Sequence, residues 1–252
     1  MTKKRWCGLF AGFLAGAVAA GGWWLYSHRA RERIPCVEGL FEPAVARAYG
    51  RIAAMPQMAL LRRFVARRAV AMKSAGQAAD IGCGPGLLVV ELARRAPGLH
   101  VTGVDLSDEM LAQGQVHAAR AGVGDRVSFR QGDAGQIPFP AGSLDLVVST
   151  LSLHHWRDPV AVLNEVARVL RPGGAFLIFD LRRDLAVPFW LLLWFATHVV
   201  VPRALRHASE PMGSRNAAYT PTEAAQLAAA SHLTDWRITG GPLWLTIEGN
   251  SL

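Results

Sequence analysis

Two hundred and fifty-two residues are enough for one sizeable core with an appendage and short of two full domains. With 51% hydrophobic and 18% charged residues, the composition excludes intrinsic disorder. The three cysteines, Cys7, Cys36 and Cys83, are too few and too scattered for a disulfide framework or a CxxC metal knuckle, so no metal site is expected.

The net charge of +8 is concentrated at one end. Residues 1–75 carry +10, and residues 76–252 carry −2. A basic first third on a nearly neutral body predicts attachment to an anionic surface, either lipid or nucleic acid.

Thr2-Lys3-Lys4-Arg5 precedes 21 uncharged residues, 6–26. A helix of that length spans roughly the ~30 Å hydrocarbon core of a bilayer. Trp6 at one end and Trp23, Trp24 and Tyr26 at the other suit the headgroup regions. Gly8, Gly12 and Gly16 recur on one face, a spacing that lets two membrane helices approach closely and form a homodimer. A cleaved signal peptide ending in the small residues Ala15, Ala17, Ala19 and Ala20 competes with this reading. The run continues through the Trp pair, which favours an uncleaved transmembrane helix, with residues 1–34 as membrane anchor and basic linker. Orientation is not legible from charge, because Lys3, Lys4 and Arg5 are balanced by Arg29, Arg31 and Arg33.

Residues 56–73 read as a helix, with Met58, Leu61, Val65 and Ala69 as an apolar stripe. Beside the stripe run Arg62, Arg63, Arg67 and Arg68, either an ordinary solvated face or a contact with anionic headgroups. No aromatic residues alternate with these arginines and no zinc-finger or RNA-recognition motif accompanies them, so nucleic acid is not an expected partner.

From residue 77 strand and helix signals alternate. Strands are predicted at 78–81, 100–106, 127–131, 144–150 and 175–180, and closing strands at 236–239 and 243–247. Helices are predicted up to about Ala96, from an N-cap at Ser107 to near Gly122, over 159–170 with a stop at Pro172-Gly173-Gly174, and over 220–230. Repeated βα units of this size give an α/β domain over 35–252. It has a Rossmann-like, mostly parallel seven-stranded sheet with helices on both faces.

Ligands in such sheets bind beyond the carboxyl ends of the strands. Asp80 ends the first strand and is followed by Gly82, Gly84 and Gly86, then a helix whose N-terminal N–H groups suit an anionic group. The dinucleotide pattern GxGxxG fails at Leu87, and no Gly-Lys-Ser/Thr follows for a phosphate loop. An acid at the mouth would repel a pyrophosphate and tolerate a cationic or zwitterionic ligand.

With these residues the chain resembles the class I S-adenosylmethionine-dependent methyltransferases. The similarity covers about residues 45–180. It rests on Ala79-Asp80-Ile81-Gly82-Cys83-Gly84-Pro85-Gly86, Gly103-Val104-Asp105-Leu106-Ser107 and Gln131-Gly132-Asp133-Ala134. It continues through Leu144-Asp145-Leu146-Val147-Val148 and Arg168-Val169-Leu170-Arg171-Pro172-Gly173-Gly174. The nearest branch in appearance contains the ubiquinone and menaquinone biosynthesis methyltransferases. The resemblance implies S-adenosyl-L-methionine as cofactor, its methionine part against Gly82, Gly84 and Gly86, with Asp80 near the ammonium. Asp105 would accept from the ribose hydroxyls, Leu106 and Met110 would pack on the adenine, and Asp133 would receive its amino group beside the Ala134 N–H.

His154 and His155 follow the fourth strand, where the acceptor would lie. His154 is the candidate general base, against a plain role in the pocket wall. Residues 189–201 are uncharged and, at about 20 Å of helix, too short to cross a bilayer. Within a hydrophobic insertion at 184–206 they read as a lid, an interfacial helix or a buried contact. The expected activity is methylation of an apolar or amphipathic small molecule, a quinone precursor or lipid-like acceptor, by a membrane-anchored domain facing the cytoplasm. The alternative is a catalytically silent, cofactor-binding assembly or regulatory protein at the membrane.

Overall fold

The computed structural model describes residues 21, 32–35, 49–186, 188, 189, 195 and 212–251. Seven strands form one sheet in the order β3-β2-β1-β4-β5-β7-β6. These are β1 (Ala75–Ile81), β2 (Gly98–Asp105), β3 (Val127–Gln131), β4 (Leu144–Thr150), β5 (Leu170–Leu181), β6 (Asp235–Gly240) and β7 (Trp244–Asn250). Strands β1 to β5 are parallel, and β7 runs antiparallel between β5 and β6. The order reverses between β1 and β4, and ligands of such sheets bind outside the carboxyl ends of the strands at this switch point.

Successive strand residues point to opposite faces, and each face has its own helices. Strand β4 illustrates the alternation. Leu146 and Val148 join one core with Val65 and Ala69 of α1 (Pro56–Met72), Leu88, Val89 and Leu92 of α2 (Leu87–Arg95), and Leu111 and Ala118 of α3 (Asp108–Arg120). Val147, between them, points the other way. It joins Ile81, Val104, Phe176, Ile178 and Ile247 beneath α4 (Pro159–Val169) and α6 (Pro221–Ala229), which contribute Leu163, Val166, Ala224 and Ala228. Each fully buried Val, Leu or Ile contributes about 1.5–3 kcal/mol, so the two cores hold the strand ends in place.

The helices begin where their sequences provide caps. Ser107 Oγ accepts from the Met110 N–H, and Asp158 caps α4 through the Ala161 N–H ahead of Pro159. Thr220 and Glu223 form a reciprocal capping box at α6. A one-and-a-half-turn helix, α5 (Met212–Ala217), precedes it.

Most predicted strands lie within a few residues of the observed ones, and β3 and β4 match fully. Strand β5 differs, because it starts at Leu170 rather than at 175. Leu170 pairs with Leu144 before the Pro172-Gly173-Gly174 turn, which forms a bulge inside the strand, and Ala175 then pairs with Leu146. Gly173 has φ +72°, a conformation that suits glycine.

Among the described residues no helix is long and apolar enough to cross a membrane. The span predicted at 6–26, with Gly8, Gly12 and Gly16, lies outside the described residues apart from Gly21. So does the 189–201 segment apart from Phe189 and Phe195.

Candidate active site

The carboxyl ends of β1, β2, β3 and β4 surround a cavity of about 970 Å³. On one side the chain leaving β1 curls over β2. The Gly82 and Cys83 N–H groups donate to the Val104 carbonyl at 2.8 and 3.0 Å, and the Gly84 N–H donates to Asp105 Oδ2 at 2.8 Å. Asp105 Oδ1 accepts from the Ser107 N–H at 2.9 Å. The carboxylate is therefore oriented from both sides.

The three glycines of this loop all have positive φ and do different things. A Cβ on Gly82 would collide with Ser152 Oγ, so that glycine permits the loops after β1 and β4 to touch. A Cβ on Gly86 would lie 2.5 Å from the Phe129 ring and 2.9 Å from Gly114 Cα, so that glycine seats α2 against β3 and α3. At Gly84 the nearest atom is a Tyr49 ring carbon at 3.7 Å, which leaves that position open to the cavity.

Of the nine predicted cofactor residues, Gly82, Gly84, Asp105, Leu106, Met110, Asp133 and Ala134 line the cavity, and Asp80 and Gly86 do not. Asp80 is buried behind the glycine loop, with Oδ1 lacking a hydrogen-bond partner. Burial, and then the charge of Asp105, pushes its carboxyl up to about 8. Burial also raises Asp105, opposed by the N–H groups of Ser107, Gly84 and Leu106. Asp133 Oδ1 accepts from the Gly135 N–H at 2.8 Å, which fixes the turn at the cavity rim.

The rest of the lining comes from residues far apart in sequence, among them Arg33, Tyr49, Leu151, Ser152, His154 and Trp156. Leu151 has φ +59°, a strained conformation for leucine at the turn out of β4. His154 Nδ1 lies 2.7 and 2.9 Å from the two oxygens of Asp180, and the same carboxylate accepts from the backbone N–H groups of His154 and Leu181. Both side chains are buried. The His155 ring packs on His154 at 4.0 Å, and its pKa is lowered to about 3 by burial and then by His154. Arg33 Nε donates to the Ala217 carbonyl at 2.7 Å and Nη2 to the His154 carbonyl at 3.1 Å, while the guanidinium lies 4.3 Å from the Tyr219 ring centre.

Asp180, Arg33 and Tyr49 are absent from the sequence expectations. Asp180 carries a usable signal, since it stands near the end of the fifth strand as Asp80 and Asp105 stand at the ends of the first two. Arg33 and Tyr49 carry none, because their place depends on how the chain before β1 folds back.

Residues 79–178 match a family profile described as a methyltransferase domain. The chain is 41% identical over 101 residues to 27-O-demethylrifamycin SV methyltransferase of Amycolatopsis mediterranei, covering 40% of this chain and 37% of that one. It is 31% identical over 163 residues to demethylmenaquinone methyltransferase of Porphyromonas gingivalis, covering 64% and 66%. The chain thus spans less than two thirds of the length of these relatives. In fold it is similar to phosphoethanolamine N-methyltransferase 2 of Haemonchus contortus, solved with S-adenosyl-L-methionine. That likeness has a TM-score of 0.64 at 17% identity and covers 85% of this chain and 58% of that one. Residues 79–178 thus carry a methyltransferase domain, set on a sheet with the strand order and strand-end carboxylates described above.

Proposed function

We propose that this chain methylates an apolar or amphipathic small molecule, a quinone precursor or lipid-like acceptor, using S-adenosyl-L-methionine. The observation that carries this reading is the Asp105 carboxylate, oriented by Gly84 and Ser107 at the edge of a cavity that runs on to Leu151 and Trp156. The residues present fit the cofactor. Each Asp105 oxygen accepts a protein N–H and keeps acceptor capacity for a ribose hydroxyl. The room over Gly84 is open, and the buried Asp80 oxygen offers an acceptor behind it. The bound cofactor supplies a methyl group made electrophilic by its sulfonium.

The chain's own contribution is to bind, orient and exclude water. Leu106 and Met110 offer an apolar rim beside Asp133 and Ala134 for the adenine. Trp156, Leu151 and Val162 give the acceptor an apolar wall. Asp180 lies 2.7 Å from His154 Nδ1 and holds the ring in place at the cavity wall. The His154 ring lines the cavity and is the candidate group to take a proton from an ionising acceptor, such as a phenol or an activated ring carbon. The named activities of the rifamycin and menaquinone relatives support a small-molecule acceptor. The uncharged 6–26 run supports anchoring, with the domain on the cytoplasmic side where the cofactor is made.

The test compares solvent extracts of cells with and without the gene. The reading predicts that an apolar compound one methylene lighter accumulates in the cells without it. It is overturned if the purified full chain transfers no labelled methyl group to any component of those extracts.

A further inference from the structure

Helix α1 has an outer face that stays largely uncovered among the described residues. Leu60 is 65% exposed and Phe64 40% exposed. Arg63 and Arg67 are exposed on the same face, and Arg51 is exposed just before the helix. None of these three arginines makes an ion pair among the described residues, in contrast to Arg68, which is held by Glu248, and Arg62, which donates to the Ala53 carbonyl. Residues 49–73 hold six basic residues and no acid.

The face also has a defined place relative to the cavity. Phe64 packs against Phe179 and Trp244 with ring centres 6.2 and 5.2 Å apart, and Trp244 pairs with Leu181 at the carboxyl end of β5. Leu60 lies one turn nearer the start of α1, and Tyr49, seven residues before that start, lines the cavity. Ile34, 63% exposed, belongs to the segment whose Arg33 and Pro35 line the same cavity. Exposed apolar side chains and free cations thus share the end of the sheet where the cavity opens.

We infer that the outer face of α1 docks on an anionic lipid bilayer and turns the cavity mouth toward it. Leu60 and Phe64 enter the interface while Arg51, Arg63 and Arg67 meet the headgroups. Charge complementarity favours this occupant, and so does the presence of a 21-residue uncharged run earlier in the sequence. The inference does not depend on the identity of the acceptor or on turnover.

The test uses the full chain with Cys7→Ser and Cys36→Ser, the remaining Cys83 being buried. A polarity-sensitive fluorophore is attached at Leu60→Cys and, as a control at the opposite end of the strands, at Gly124→Cys. The chain is mixed with vesicles of phosphatidylcholine alone or with phosphatidylglycerol, some carrying brominated acyl chains. The inference predicts a blue shift and bromine quenching at position 60 with the anionic vesicles only, and a solvated label at position 124. Each arginine at the surface adds about fivefold to the docked ratio, so Arg63→Glu with Arg67→Glu lowers it by roughly thirtyfold or more. An equal response in both lipids, a label that stays solvated, or a signal unchanged by the charge reversal would overturn it. So would shielding of the label by RNA and not by vesicles.

Discussion

The two walls of the cavity are built by opposite means. The β1–β3 wall is backbone and carboxylate: Gly82, Gly84, Asp105 and Asp133, held by short-range N–H bonds within and between adjacent strand ends. Asp105 has no ion-pair partner among the described residues, so this wall keeps a carboxylate with acceptor capacity facing the cavity. The β4–β5 wall is made of side chains, the His154–Asp180 pair, Trp156 and Leu151, and is braced by Arg33 from the start of the chain. On the proposed function, the first wall would hold one fixed ligand through geometry close to the main chain. The second can change its acceptor by changing side chains.

Substitutions can break this contrast. The largest effect is expected within the glycine loop. Gly86→Ala forces a side chain into positive φ and against Phe129 and Gly114, at a cost on the order of 3 kcal/mol, which is a fall in melting temperature of several degrees. Gly84→Ala carries only the backbone strain, about 1–2 kcal/mol, and its methyl group projects into the cavity. It should keep the fold and lose cofactor affinity. Equal melting temperatures for the two variants would refute this division of labour.

Across the cavity, Asp180→Asn should lower kcat by about a hundredfold or more with an acceptor that must lose a proton, leaving the KM for the cofactor nearly unchanged. Asp180 acts here as a positioning residue. A loss confined to thermal stability, with kcat and its pH profile intact, would reduce it to a structural role.

The remaining effects are in the pH dependence of stability, where two buried groups act with opposite signs. Asp80 binds its proton more tightly when folded, so its contribution to stability falls as pH rises from the ordinary 3.8 to about 8. His155 binds its proton less tightly when folded, so its contribution falls as pH drops from 6.5 to about 3. Asp80→Asn should flatten the alkaline side of a melting-temperature profile, and His155→Gln the acid side. A profile that keeps both slopes in both variants would remove these groups from the account.

The same contrast explains what can be read from the sequence. The β1–β3 wall is legible because each of its residues sits at a strand end marked by local pattern, a hydrophobic run closing on Asp105 or a turn at Asp133. Even there, pattern treats three glycines as one motif, and only the packing partners Ser152, Tyr49 and Phe129 separate their roles. The β4–β5 wall is legible only at His154. Asp180 lies 26 residues away, Arg33 121 residues, and Tyr219 meets Arg33 across the fold. Such encounters depend on tertiary packing, which periodicity and spacing do not encode. The bulge at Pro172-Gly173-Gly174 is hidden for a related reason, since helix-stop residues also serve as the opening of a strand.

The central claim is that Asp105, held by Gly84 and Ser107, grips the cofactor. Its most direct test is calorimetric titration of S-adenosylmethionine into the full chain and into Asp105→Ala, with circular dichroism to verify that both are folded. Loss of a charge-assisted hydrogen bond, about 1.5–3 kcal/mol, should weaken binding by roughly tenfold to a hundredfold in the variant. Folded wild-type protein that takes up no ligand, or a variant that binds as tightly as wild type, would contradict the account.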